Sequence, residues 1–256
     1  MIFFSLPESY PSAGMFGPWH LLLLTVTLAF VALGLRISSH LGDVGVRRIL
    51  RISTALLWVL EAVKILFVLF VVRSRNPNDF VPLYFCSLTL YAGAFSSLGR
   101  GWVRRTGDCF LATGGVVGGA LFLFFPTTSL PRYPALHFIS LHSFLLHGLM
   151  VYLGLLLLIR GVFRPRFSDL RYYFVLVSLT CAIACFFNWS YDRYADAPLA
   201  NLMFMSKDFP GTPITLIYHL CGAFFPWFMW LVQSLCPFLI VYLAQQPSGP
   251  HRRSRR

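Results

Sequence analysis

Apolar residues run through this chain in long blocks, and polar residues gather between them. Seven blocks are of roughly the 17–25 residues that a helix needs to cross the hydrocarbon of a bilayer. They cover residues 17–35, 49–72, 80–98, 109–125, 136–159, 170–188 and 214–243. The fourth is rich in glycine, and the last exceeds one span, which predicts tilt or an irregular start. Hydrophobic residues make up 57% of the chain and charged ones 12%, too apolar for a soluble domain. The pattern predicts an all-α polytopic membrane protein with seven transmembrane helices at residues 17–243. A short extracytoplasmic tail at 1–16 precedes it and a basic cytoplasmic tail at 244–256 follows. No basic residue precedes the first block, so the start lacks the charge of a signal peptide, and the first helix is read as retained.

The net charge of +12 changes meaning once it is placed on this frame. Fifteen arginines fall on alternate connections: Arg36, Arg47, Arg48 and Arg51; Arg100, Arg104 and Arg105; Arg160, Arg164, Arg166 and Arg171; Arg252, Arg253, Arg255 and Arg256. The intervening connections carry five basic residues, Arg73, Arg75, Arg132, Arg193 and Lys207. The positive-inside rule then puts the N-terminus outside and the C-terminus in the cytoplasm, as an odd number of spans requires. The charge is a topology signal with attraction to anionic lipid, and nucleic-acid binding is excluded as a reading. The expected location is the cell membrane, with the bilayer and its phospholipids as partners. The sequence identifies no protein partner.

Several polar residues sit inside the blocks, where ionisable groups are costly and mark function by default. The block from residue 136 opens with three histidines, His137, His142 and His147. At 1.5 Å per residue, His142 lies about 9 Å and His147 about 16 Å below its outer end. Steps of five residues turn roughly 140°, so the three histidines share no face and form no metal site by themselves. No other cluster has metal-ligand spacing, and neither metal nor cofactor is expected. Glu61 and Lys64 lie three apart in the second block, as a simple ion pair or with Glu61 turned inward to orient a catalytic group. His20 reads as a solvated interfacial histidine. Pro82 suits the first turn of a third helix, with Cys86 one turn later among Tyr84, Ser87, Thr89 and Tyr91. Gly114–Gly118 and Gly115–Gly119 have the small-xxx-small spacing of close helix contacts. The six cysteines give no disulfide framework. Asn188-Trp189-Ser190 matches a glycosylation sequon but abuts the membrane. Residues 191–213, the longest connection, read as a lid, and Pro226 and Pro237 predict kinks in the last helix.

Cys86 and the histidines of the fifth block occupy the same outer half of the membrane. A thiol becomes a strong nucleophile when an imidazole takes its proton, so Cys86 with His142 or His147 is a candidate acyl-transfer centre. The plain alternative is a thiol and an imidazole serving as core and polar glue on separate helices.

Residues 81–91, Val-Pro-Leu-Tyr-Phe-Cys-Ser-Leu-Thr-Leu-Tyr, resemble a Leu-Pro-(Leu/Phe)-His-Leu-Cys-Ser pattern of the YwaF-like bacterial integral membrane proteins. The likeness continues through the glycines of the fourth block, Pro126, His137-Phe138 with His147 ten residues on, Asn201-Leu-Met-Phe, and Glu61. It spans nearly the whole chain in order, and Tyr84 stands where the bacterial pattern has histidine. That family is related to a eukaryotic transmembrane acyltransferase acting on lyso-ether phospholipids, and more distantly to intramembrane hydrolases that use threonine and histidine. The resemblance implies seven helices, Cys86 as nucleophile and His147 as base. Glu61 or Asn201 would orient the imidazole or stabilise the oxyanion, and His142, Tyr84 and Asn188 complete the supporting set.

The sequence thus predicts an intramembrane lipid acyltransferase, or an acyl-ester hydrolase, acting on phospholipid acyl chains at the outer leaflet. The alternative is a non-catalytic lipid-binding or transport protein, or a subunit of a membrane complex. A retinal-type receptor is disfavoured, because the last block has no lysine for a Schiff base.

Overall fold

The computed structural model describes residues 2–6, 9–195 and 199–246. Glu8, Asp196 and the arginines of the C-terminal tail lie outside them. The described residues contain helices and connections but no strand. The principal helices are α1 (Pro18–Ile37), α2 (Asp43–Leu66), the single turn α3 (Pro77–Phe80), α4 (Leu88–Leu98), α5 (Gly101–Phe110), α6 (Val116–Phe124), α7 (Phe138–Ile159), α8 (Leu170–Tyr194), α9 (Pro213–Cys221) and α10 (Phe225–Ala244). Wider π-type turns extend α2 to Val72 and join α5 to α6. Six of the resulting rods are long and apolar enough to cross a membrane: Pro18–His40, Asp43–Val72, Gly101–Phe124, Phe138–Ile159, Phe167–Tyr194 and Pro213–Ala244.

The third block departs from expectation, because residues 80–98 do not form one helix. Asn76 caps α3 by accepting a hydrogen bond from the Asn78 N–H at 3.1 Å. Val81 is extended, at φ −84° and ψ 113°, as steric conflict with a following proline demands. Pro82 therefore ends a turn and does not open a helix. Regular helix resumes only at Leu88, and its eleven residues span about 16 Å, half of the hydrocarbon thickness.

The helices close around one main core, in which Leu50, Phe110, Leu153, Tyr173 and Phe238 are fully buried. The glycines of the fourth block make the close contacts that their spacing predicts. A Cβ on Gly119 would lie 2.9 Å from the backbone oxygen of His147 on α7, while Gly114 and Gly118 accommodate the rings of Tyr173 and Phe85.

The two ends of the bundle are built differently. At the arginine-rich end, Arg47 of α2 grips Asp108 of α5 through two hydrogen bonds of 2.5 and 2.7 Å, with Ser96 of α4 donating to the same carboxylate. Arg105 holds Asp169, before α8, through bonds of 2.6 and 2.7 Å. At the other end, His20 is buried and clamps α1: its Nδ1 accepts from the Phe16 N–H, and its Nε2 lies 2.9 Å from the Leu123 carbonyl. This corrects its reading as a solvated interfacial group.

Removing one member of a buried pair strands the other charge, whereas replacing both with apolar groups does not. Asp108→Ala should therefore lower the unfolding free energy by about 3 kcal/mol. Arg47→Met/Asp108→Leu should recover most of it, measured by denaturant titration in detergent. Equal losses in the two proteins would contradict this account.

Candidate functional site

The break in the third block places Cys86. The chain turns through residues 84–87 before α4 starts, with the Leu88 N–H bonded to the Tyr84 carbonyl and the Thr89 N–H to that of Cys86. Cys86 is therefore at the N-terminal end of α4, where backbone N–H groups have no helical acceptor. Such a terminus favours negative charge. Non-helical backbone at membrane depth is tolerated where protein covers it, and the half-buried Cys86 packs against a cluster of Leu57 of α2, Leu90 of α4, and Leu146 and Met150 of α7.

Glu61 of α2 has a different neighbour at each of its two oxygens. Oε1 accepts from Lys64 Nζ at 2.6 Å, and Oε2 lies 3.6 Å from His142 Nε2. Glu61 and His142 are both buried, at 2% and 6% exposure. At 3.6 Å the imidazole and the carboxylate are in contact without a hydrogen bond.

The three histidines of α7 separate as their spacing predicts. His137 caps the helix: its Nδ1 accepts from the Ile139 N–H at 3.1 Å, and its Nε2 lies 3.0 Å from the Ser5 carbonyl. Burial pushes its pKa down, so it remains a neutral cap. His142 is one turn from Leu146 and shares the stripe that meets Cys86. His147 is about 100° further round from Leu146 and faces α6, its ring stacked 3.6 Å from that of Phe122. Its Nδ1 lies 2.6 Å from the Ser143 carbonyl, so Nδ1 holds the proton and Nε2 the lone pair. Among the described residues, neither His142 nor His147 is hydrogen-bonded to Cys86.

Asn188, Asn201 and Tyr84 belong to the long connection and its seat. Asn201 makes four side-chain hydrogen bonds: it accepts from the N–H groups of Ser206 and Lys207 and donates to the carbonyls of Lys207 and Asp208. Asn188 of α8 donates to the Leu202 carbonyl and Ser206 Oγ and accepts from the Leu202 N–H. Both amides are occupied in shaping the loop, which leaves Asn201 no donor for an oxyanion. The loop is a plug and not a covering lid, since Leu202 and Met203 are fully buried in the main core. Phe204 reaches the Tyr84 ring at 5.2 Å.

Sequence reasoning passed over Asp108 and Asp169, which pin the arginine-rich end, and Gln233, whose Nε2 donates to the Met203 carbonyl at 3.0 Å. The available signal was scarcity: with nine acidic residues in the chain, a carboxylate bordering an apolar block is seldom a solvated one. Among the described residues, no group of histidine, cysteine and carboxylates could hold a metal ion.

Removing the Asn201 side chain unmakes four bonds that shape the plug. With about 1–3 kcal/mol at stake for each buried polar group left unpaired, Asn201→Ala should speed amide hydrogen exchange at residues 199–209 by about tenfold or more. Exchange in α7 should stay unchanged, and unaltered exchange in the loop would refute the structural role.

One comparison with known proteins identifies a relationship. A family model described as the TMEM164 family matches residues 15–244. No curated protein and no solved structure matches the chain. The match covers every spanning helix and both Cys86 and α7, and on that extent the chain belongs to the TMEM164 family, a family of transmembrane proteins.

Proposed function

We propose that this membrane protein is an intramembrane lipid acyltransferase or acyl-ester hydrolase centred on Cys86. The observation that carries the reading is the buried Glu61–His142 contact on the α7 face that meets Cys86. A carboxylate that orients an imidazole beside a thiol is the arrangement of an activated nucleophile. The resemblance to YwaF-like proteins and their acyltransferase relatives supports the same thiol. It selects His147 as base, whereas the shared stripe and the carboxylate favour His142.

In the proposed reaction, His142 Nδ1 takes the Cys86 proton and the thiolate attacks the ester carbonyl of a phospholipid. The N–H groups of Cys86 and Ser87 would face the oxyanion, as such donors do in acyl transfer. Collapse of the intermediate breaks the ester C–O bond, and the imidazolium returns the proton to the departing lysolipid alkoxide. A lysolipid hydroxyl, or water in a hydrolase, then attacks the thioester and regenerates the thiol.

The proposed topology has seven passes, the third completed by the extended run before α4, with the His137 end outside and the arginine-rich end in the cytoplasm of the cell membrane. The distribution of basic residues supports it, and residues 1–16 and 244–256 would be the outer and inner tails.

The test is acyl exchange between phospholipid and lysophospholipid by purified protein in mixed micelles. Cys86→Ala should abolish exchange. His142→Ala should reduce it by about a hundredfold or more, the usual share of a general base, while His147→Ala should cost less than about tenfold. Unchanged activity in Cys86→Ala, with the protein still monodisperse, would sink the catalytic reading in favour of lipid binding alone. A larger loss in His147→Ala than in His142→Ala would transfer the base to His147.

A further inference from the structure

Two open clefts lie on either side of one residue, Ser206 in the plug. The first, of about 420 Å³, is lined by Cys185, Asn188, Trp189, Asp192 and Arg193 of α8. The second, of about 380 Å³, is lined by Tyr218 and His219 of α9, by Gly222 and Ala223, and by the start of α10. Both fall within the size range of small-molecule sites. Their position follows from the chain. The plug joins the end of α8 to the start of α9, so one cleft lies against α8, the other against α9 and the start of α10, and Ser206 lines both at the His137 end of the bundle.

The polar equipment of the clefts is mainly donating. Asn188 Nδ2 donates to Ser206 Oγ at 2.8 Å, which fixes the hydroxyl and leaves its own proton to point elsewhere. Arg193 stands at the rim with its guanidinium 5.7 Å from the Trp189 ring centroid. The carboxylate in the first cleft, Asp192, is covered: it accepts from the Ala200 N–H and from Lys207 Nζ. The surroundings are apolar and exposed, with Trp189, Leu216, Leu220, Phe224 and Trp227 on the outer surfaces of α8, α9 and α10. Fixed donors and a cation at one level, with apolar walls below, match the phosphate of a lipid whose chains run down between two helices.

The backbone next to the clefts is irregular on both sides. Met203 and Phe204 are consecutive non-glycine residues with positive φ, 56° and 51°, a conformation that costs energy and is held by surrounding contacts. Phe204 bears on Tyr84, two residues from Cys86. On the other side, α9 has no buried residue and joins α10 through Gly222, at φ 51° and ψ −125°, which only glycine adopts without strain.

We infer that the α8–α9 clefts form one phospholipid site, with the phosphate between Ser206 and Arg193 and an acyl chain against α9. The strained Met203–Phe204 turn separates this site from Cys86. Lipid binding here stands on the clefts alone. Delivery of an acyl chain to Cys86 rests additionally on the acyl-transfer reading.

The experiment uses full-length protein in nanodiscs containing a trace of phosphatidylcholine with a photoactivatable group in its acyl chain, and maps crosslinked peptides by mass spectrometry. Crosslinks should concentrate on residues 185–193 and 214–226 relative to α1, a helix less buried than the α8 and α9–α10 rods. Ala223→Trp, which fills the second cleft, should remove most of them. Arg193→Gln should weaken them about fivefold to tenfold, as loss of a charge-assisted bond predicts. A photoactivatable diacylglycerol, which lacks the phosphate, should show no such concentration. Even labelling of α1 and α9, or equal labelling by the two lipids, would identify ordinary annular lipid and overturn the proposal. Cys86→Ala should label as wild type does, so inactivity at Cys86 and absence of the lipid site give different results.

Discussion

Lipid offers no partner to a backbone N–H or C=O, so each departure from helix inside a membrane has to be enclosed by protein. This chain departs at residues 81–87, and much of its architecture follows from enclosing that run. α2 and α7 pack against it, the glycines of the fourth block let the α5–α6 rod approach α7, and the plug presses Phe204 onto Tyr84. The same departure leaves Cys86 just before the N-terminal end of α4. The fold and the candidate chemistry therefore share an origin in Pro82 and the extended residue before it.

The charged residues obey a companion constraint. Among the described residues, five acidic side chains form ion pairs: Glu61 with Lys64, Asp79 with Arg132, Asp108 with Arg47, Asp169 with Arg105, and Asp192 with Lys207. Of these, Asp108 and Asp169 are gripped by both oxygens in a planar fork, the geometry that best compensates the loss of water. Glu61 instead divides its oxygens between Lys64 and His142, so neither partner saturates it. That difference sets it apart from the structural carboxylates.

Much of the fold was legible in the sequence. Six of the seven apolar blocks correspond to rods long enough to span, because a block length near 20 residues has few alternatives in lipid. The third failed because hydropathy is blind to a proline that forces its predecessor into extended backbone. The separation of the α7 histidines was readable from helical turn alone. The partners of each were not, since they come from α2, α6 and the N-terminal segment, and no local pattern records contacts between distant segments. Asn201 and Asn188 entered the sequence reading only as supporting residues. Their saturation by the loop's own backbone became visible only with the hydrogen bonds in place.

The contrast between the two ends of the bundle bears on how such a protein would work. At the arginine-rich end, bidentate pairs tie α2 to α5 and α5 to the start of α8, with Arg160 bonded to the Leu41 carbonyl. Movement there would separate charges that have no water to replace their partners. At the opposite end, the connections are long, α9 has no buried residue, and positive-φ backbone occurs at Met203, Phe204 and Gly222. The chain is thus anchored by charge pairs at one end, while the irregular backbone at the other is held by the buried Leu202 and Met203 of the plug. Cys86 lies toward that irregular end, beyond the start of α4.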